Sequence, residues 1–428
     1  KEKVDKLNED LTNNIALLAD LQGPKLRIGD VEEEAELKPG DQLTFTNTPK
    51  TGSAQEVYMT YPQFAADVAV GDRILIDDGK LMLETTATDG KNRVEASVIQ
   101  GGPLKSKKGV NLPNTRVSLP SLTEKDLADL EIAISLEMEW IGLSFVRSPK
   151  DVRELRVLLE NKKSGAHIIS KIEKPEAVAE LDEIIDLSDG VMVARGDLGV
   201  EVPMQSVPLI QKMIVNKCHK AAKPVVIATQ MMESMMENMS PTRAEVNDVA
   251  NSVLDGADAV MLSGETSVGK YPVEVVEAMA KIIAHVEESG QVATQQENPP
   301  RFRNKRFITD SICYNASKIA DQVSASAILA MTFSGYSAIK VSSHRPKSAI
   351  FAFTSNRRIL NTLALVWGVR GFYYDKSEST DETFSDVKQM VKQRSLVNNG
   401  DIVLKIASMP IKAMGMTNML KIATIDEN

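Results

Sequence analysis

The sequence predicts an α/β fold built on a (β/α) barrel, with an inserted β-barrel lid segment and a C-terminal α/β unit whose sheet is mostly parallel. Three observations carry this. Six apolar runs, at residues 15–19, 140–145, 168–172, 190–194, 225–228 and 257–262, are continuous rather than alternating, as strands buried on both faces of a parallel sheet are. Most are followed by a polar cluster and an amphipathic stretch, as at 150–159, 175–185 and 242–254, and strands alternating with helices give a parallel α/β sheet. Charged and hydroxyl residues crowd the C-terminal ends of these runs: Asp20, Arg147, Lys171 with Glu173, Arg195 with Asp197, Thr229, and Ser263 with Glu265. A (β/α) barrel carries its active face at those ends.

Taken in order, residues 1–11 read as a helix feeding the first strand. An eight-stranded barrel then lacks its first strands here, so an N-terminally incomplete barrel is expected. Residues 25–119 alternate β-like runs (42–46, 73–76, 81–84, 93–100) with turns such as Pro39-Gly40-Asp41 and Asp77-Asp78-Gly79. That is an all-β module inserted after a barrel strand, where a lid over the active face belongs. The polar stretch 293–300 reads as a linker, and 328–332, 349–354, 371–374, 401–406 and 419–425 read as strands of the last unit. The expected division is 1–24 and 120–290 for the barrel, 25–119 for the lid and 291–428 for the C-terminal unit.

Lys and Arg total 50 against 59 Asp and Glu, a net charge of −9, which argues against nucleic-acid or anionic-membrane binding. Aromatics at 4% leave little for stacking on single strands. Cys218 and Cys313 are far apart and the four histidines form no ligand cluster, so neither a disulfide framework nor a zinc site is expected. No apolar run approaches the ~18 residues of a membrane span, and a reducing cytoplasm is the expected compartment.

Lys171 and Glu173 are two apart on one strand and leave it on the same face. Asp197 ends the next strand. Two such carboxylates suit Mg²⁺, which takes one or two of them plus substrate oxygens, and the lysine supplies charge to a transferring phosphoryl group. The same trio also serves as a structural ion cluster at a barrel mouth. Thr229 either bonds a ligand or caps the next helix, the commoner role. Met231, Met232, Met235, Met236 and Met239, at helical spacing, read as gap-filling core. Gly196 lets backbone approach a ligand. Lys105, Lys107 and Lys108 either face solvent or, on a mobile lid, close over nucleotide phosphates. The 332–337 loop, between strand and helix, either cradles phosphate on backbone N–H groups or is an ordinary turn.

Residues 168–173 (Ile-Ile-Ser-Lys-Ile-Glu), 191–199 (Val-Met-Val-Ala-Arg-Gly-Asp-Leu-Gly), 228–231 (Ala-Thr-Gln-Met) and 261–266 (Met-Leu-Ser-Gly-Glu-Thr) resemble the signature segments of pyruvate kinases. Residues 107–113 (Lys-Lys-Gly-Val-Asn-Leu-Pro) resemble that family's lid motif. The resemblance runs in order along the whole chain. It implies phosphoryl transfer from phosphoenolpyruvate to ADP, the last step of glycolysis, with Mg²⁺ or alternatively Mn²⁺, in a homotetramer. By position it makes Lys171 the phosphoryl-stabilising lysine and Glu173 and Asp197 the metal ligands. The backbone of Ala194, Arg195, Gly196 and Asp197 then touches phosphoenolpyruvate, Thr229 sits near the carbon that is protonated, and Arg27 and Lys108 contact the nucleotide.

Many relatives carry Thr-Lys-Gly-Pro-Glu where this chain reads Leu21-Gln22-Gly23-Pro24-Lys25. It is similar to the K⁺-independent branch, in which the Lys25 ammonium substitutes for the monovalent cation; otherwise Lys25 is a solvated hinge residue. The family's Arg-x-Asn-Phe-Ser-His segment has no counterpart in these residues. A sugar-phosphate or nucleotide effector is expected in the C-terminal unit, though Phe333 and Tyr336 stand where many relatives place Lys or Arg, against a bisphosphorylated sugar. Two other readings are a Mg²⁺-dependent pyruvate-enolate aldolase, for which a nucleotide lid has no use, and a non-catalytic ligand-sensing relative.

Overall fold

The strands of the chain run, in order, β1 Leu18–Asp20, β2 Glu36–Leu37, β3 Gln42–Thr46, β4 Glu56–Tyr58, β5 Arg73–Ile76, β6 Leu81–Thr88, β7 Arg93–Gln100, β8 Gly102–Pro103, β9 Val110–Asn111, β10 Trp140–Leu143, β11 His167–Ile172, β12 Gly190–Ala194, β13 Val225–Ala228, β14 Ala259–Val260, β15 Ala327–Met331, β16 Ala349–Thr354, β17 Val369–Tyr373, β18 Ile402–Ala407 and β19 Met419–Thr424. They come from a computed structural model that describes residues 1–10, 14–113, 115–292, 305–376, 379–410 and 415–426. The linker expected at 293–300 lies outside the described residues.

The first sheet has the order β1-β10-β11-β12-β13-β14, parallel throughout, the succession a (β/α) barrel requires. The apolar runs of β10 to β13 are buried on both faces, whereas those at the two ends of the sheet are not: Ile15 and Leu18 are 38% and 37% exposed and β14 is only half-buried. Ile141, Ile168, Val191, Val193, Val225 and Ile227 pack into one core with the helices, while Trp140, Ile169, Met192, Val226 and Ala228 form another on the opposite face. Parallel pairing in sequential order brings every C-terminal strand end to one rim, with Asp20 beside Gly142 and Ala194 beside Ala228. That is why residues distant in sequence meet there.

The helices follow their sequence signals. Arg243–Asp255 starts at a capping box between Thr242 and Glu245 and ends at Gly256 with φ +100°. Glycine is required at that stop, because a Cβ would lie 2.3 Å from the His219 ring. The amphipathic stretch at 175–185 is interrupted at Glu180, giving Pro175–Ala179 and Leu181–Leu187. Two barrel strands differ from expectation: β1 is displaced toward Asp20 and β14 is two residues long. No helix among the described residues is long and apolar enough to cross a membrane.

The insertion forms a sheet of order β4-β3-β7-β6-β5-β9, and bridges Ile28↔Met59 and Arg27↔Gly109 bring the entering chain onto it. Its core is separate from the barrel's, around Phe45, Tyr61 and Phe64. Where the chain returns to the barrel, Arg147 donates to the carbonyls of Val117 and Leu119, both at 2.7 Å. The last sheet has the order β17-β16-β15-β18-β19, with β19 antiparallel at its edge. It joins the barrel through a buried seam in which Arg345 meets Asp258 at 3.1 Å and His219 Nε2 at 2.9 Å.

Candidate active site

Lys171, near the end of β11, is the hub of the rim. Its Nζ reaches Asp20 Oδ1 at 3.0 Å, the hydroxyl of Ser144 at 2.8 Å and Glu173 Oε1 at 3.2 Å. Burial works against this charge, but the Glu173 and Asp20 carboxylates outweigh it and hold the ammonium above its ordinary pKa. Lys171 is therefore a fixed cation.

Glu173 is deeply buried and accepts the Phe145 N–H at 2.7 Å. Burial pushes its pKa up to about 7; the Asp197 carboxylate pushes the same way, against the opposing pull of Lys171. A buried carboxylate whose ionisation is opposed by a neighbouring carboxylate favours added positive charge between the two. This donor set therefore suits a divalent cation held by Glu173 and Asp197 with substrate oxygens completing its shell. Among the described residues no group of three or more His, Cys, Asp or Glu converges at metal-binding spacing, so protein ligands alone do not form a closed cage.

The next two strand ends are joined by Thr229. Its Oγ1 accepts the Gly196 N–H at 2.8 Å and donates to Ala228 O at 2.7 Å. Thr229 caps no helix, contrary to the commoner role; the 3₁₀ turn that follows starts after Met232. Thr229 and Gln230 both take positive φ, +67° and +55°, a conformation that non-glycine residues hold only when their surroundings impose it. Arg195 imposes it. Its guanidinium is bidentate to Asp248, 2.7 Å for each bond, and donates to Thr229 O at 2.7 Å. The Arg195 side chain is thus a brace, and what it leaves for a ligand is backbone. A Cβ on Gly196 would lie 3.4 Å from Thr229 Oγ1, ordinary contact, so packing does not demand that glycine.

Between the lid and this rim lies a cleft of about 1170 Å³, walled by Lys25, Arg73 and Asp78 on one side and by Gly196, Asp197 and Gln230 on the other. Lys25 makes no ion pair with any described residue, whereas Lys108 pairs with Asp77 at 2.8 Å and holds that carboxyl below its usual range. Arg27 donates to Lys107 O at 2.9 Å. The structure thus gathers Lys171, Glu173 and Asp197 at one place, Ala194, Gly196 and Thr229 beside them, and carries Arg27 and Lys108 on the lid. It adds three residues that sequence reasoning missed: Ser144, Asp248 and the Phe145 amide. Asp20 stood out at a strand end, but nothing local named Lys171 as its partner.

Of the methionine stripe, Met231, Met232 and Met235 are core, but Met239 is 64% exposed. Met239 is therefore not gap-filling, because the short 3₁₀ turn carries the chain away from the barrel before it. Cys218 and Cys313 are both free and buried.

Comparison with known proteins accounts for this arrangement. The family model for the pyruvate kinase barrel domain matches residues 1–276, and that for the pyruvate kinase alpha/beta domain matches residues 310–423. The chain is 42% identical to the pyruvate kinase of Geobacillus stearothermophilus over 96% of its own length and 71% of the relative's. It is 42% identical to that of Corynebacterium glutamicum over 97% and 86%. A crystal structure of a pyruvate kinase from Cryptosporidium parvum superposes with a TM-score of 0.90 at 31% identity, covering 99% of this chain and 87% of that one. With both family models matched in order across most of its length, the chain belongs to the pyruvate kinase family.

Proposed function

We propose that the chain transfers the phosphoryl group of phosphoenolpyruvate to ADP, and that the rim around Lys171 is where it does so. The observation carrying this is the fixed Lys171 ammonium beside two carboxylates that favour a cation, on the same rim as Gly196 and Asp197, which wall the cleft beneath the lid. In the reaction the P–O bond to the enol oxygen breaks, a terminal ADP oxygen bonds to phosphorus, and the enolate released takes a proton at its methylene carbon. Such transfer is achieved by positioning and charge neutralisation, without a covalent intermediate on the protein.

The family requires a divalent metal, and Glu173 and Asp197 are the residues we assign to it, with Mg²⁺ or alternatively Mn²⁺ as the ion. When bound it supplies positive charge to the phosphoryl oxygens. Lys171 supplies the second charge from the chain itself, kept in place by Asp20 and Ser144. Backbone from Ala194 to Asp197 orients phosphoenolpyruvate, and the Thr229 hydroxyl, held between Gly196 N and Ala228 O, stands beside the carbon to be protonated. Arg27 and Lys108 meet the nucleotide from the lid, and the lid excludes water that would otherwise take the phosphoryl group.

Lys25 we assign as the substitute for K⁺. The division at residues 24, 119 and 290, the homotetramer and a cytoplasmic setting belong to the same reading. A cavity of about 480 Å³ beside β15, lined by Thr332, Phe333, Tyr336, Phe353 and Lys376, is where we place a sugar-phosphate or nucleotide effector. An aldolase has no use for the lid. A lactate-dehydrogenase-coupled assay tests the proposal: pyruvate must form from phosphoenolpyruvate only when ADP is present, and ADP-independent formation overturns it.

A further inference from the structure

We propose that the Glu201 carboxylate is a latch that fixes the lid over the substrate cleft, with Asn111 and Lys174 as the positioning residues that meet it. The proposal rests on the phosphotransferase reading above. Three parts of the site that are separate in sequence end on one oxygen. Asn111, in β9 of the lid, donates its amide N–H to Glu201 Oε1 at 2.8 Å. Lys174, the residue after Glu173, meets the same oxygen at 2.6 Å. Glu201 itself closes the helix Arg195–Glu201, whose first residues are Arg195, Gly196 and Asp197.

The contact is dry. The Glu201 side chain is 1% exposed and that of Lys174 13%, and Asn111 is buried as well. Glu201 Oε2 is buried with no hydrogen-bond partner among the described residues. Among the described residues this carboxylate is met by two donors, one on the barrel and one on the lid. A buried ion pair adds little net stability, but removing one partner leaves a charge uncompensated. Lifting the lid withdraws Asn111 from Glu201, so the lid's position and the carboxylate's satisfaction are tied together.

The same contact reaches the nucleotide-binding side of the lid. β9 pairs with β5, Val110 beside Ile76 and Asn111 beside Leu75. Lys108, three residues before Asn111, is held by Asp77 just beyond β5, and Arg27 is bridged to Gly109. Where Asn111 sits on Glu201 thus sets where Lys108 and Arg27 stand relative to Gly196 and Asp197.

Asn111→Asp puts a second carboxylate against Glu201 without changing shape. We expect KM for ADP to rise about tenfold or more, as loss of one bond to a buried charged group implies, with KM for phosphoenolpyruvate within about twofold. Amide exchange in the lid hinge, residues 25–28 and 115–119 where the chain crosses between lid and barrel, should also quicken. Asn111→Ala should move the same quantities less far. The double variant Asn111→Asp with Glu201→Gln exchanges amide and carboxylate across the contact, and should recover most of the ADP affinity. A merely structural role would lower the amount of active protein and leave KM unmoved. Unchanged KM for ADP and unchanged hinge exchange in both single variants would overturn the latch, and so would a loss that the double variant shares in full. If the unmodified chain forms no pyruvate, the phosphotransferase reading falls, while hinge exchange in the unliganded variants still decides the latch.

Discussion

Acidification should loosen the seam between the barrel and the C-terminal unit, and the structure gives the size of the effect. His219, on the helix Val207–Ala221, is 5% exposed. It faces the Arg345 guanidinium 2.9 Å away, with the Asp258 carboxylate paired to that same arginine. Burial, then the Arg345 charge, lowers its pKa from 6.5 to about 4, against the weaker pull of Asp258. A base whose pKa is lower in the folded chain takes up a proton on unfolding. Stability is therefore full above pH 6.5 and is lost as the pH falls toward 4. Between pH 8 and pH 5 this single group should cost about 2 kcal/mol, and about 3 kcal/mol once pH 4 is passed. Urea titrations followed by tryptophan fluorescence suit the test, since Trp367 lies over Arg345 at 4.9 Å and donates to Glu287. Comparing the chain with His219→Gln at each pH isolates the effect from His167, whose pKa burial also lowers. The variant should lose about 2 kcal/mol less than the unmodified chain between pH 8 and pH 5. Parallel pH profiles would refute the reasoning.

Two predictions concern the rim itself. The chain should be fully active in K⁺-free tetramethylammonium buffer, because an ammonium at ~4 Å and an effective dielectric near ~20 supplies about 4 kcal/mol of gross attraction. Lys25→Glu should acquire K⁺ dependence or lose most activity, and strong activation of the unmodified chain by added K⁺ would contradict the assignment. Gly23→Ala should raise the divalent-metal concentration needed for half-maximal rate about tenfold. Its Cβ would lie 2.8 Å from the Phe145 ring at a φ of +69°, and Phe145 N–H is the donor that orients Glu173; an unchanged metal requirement would show that this contact does not orient the ligand.

What the sequence made legible follows from what each signal measures. Continuous apolar runs report burial on both faces, so β12 and β13 are recovered at their limits, and the helix Arg243–Asp255 within a residue of each end. β6 runs on to Thr88 because its buried–exposed alternation continues through Thr85, which is buried; a threonine gives no apolar signal. Lys171 and Glu173 were visible as a pair because i and i+2 share a face. Asp20, 151 residues from Lys171, and Ser144 were not, since only the parallel register of β1, β10 and β11 brings them together. Asp248 was hidden for a related reason: as one carboxylate among several on an amphipathic helix, it is singled out only when Arg195 is seen to reach it. Thr229 shows the opposite failure, a residue whose local context suggested a helix cap while its hydroxyl serves the neighbouring strand end.

The central claim is that Lys171 is a fixed charge serving the transferring phosphoryl group, and turnover of Lys171→Met measures it most directly. The residue stands at the strand-end rim and not within the apolar core, so the fold should persist, with far-ultraviolet circular dichroism unchanged. ADP-dependent pyruvate formation, followed by the coupled assay at saturating substrates, should fall by roughly 10³–10⁵, the range seen when a phosphoryl-stabilising arginine is lost. A folded variant that retains near-normal turnover would contradict the account.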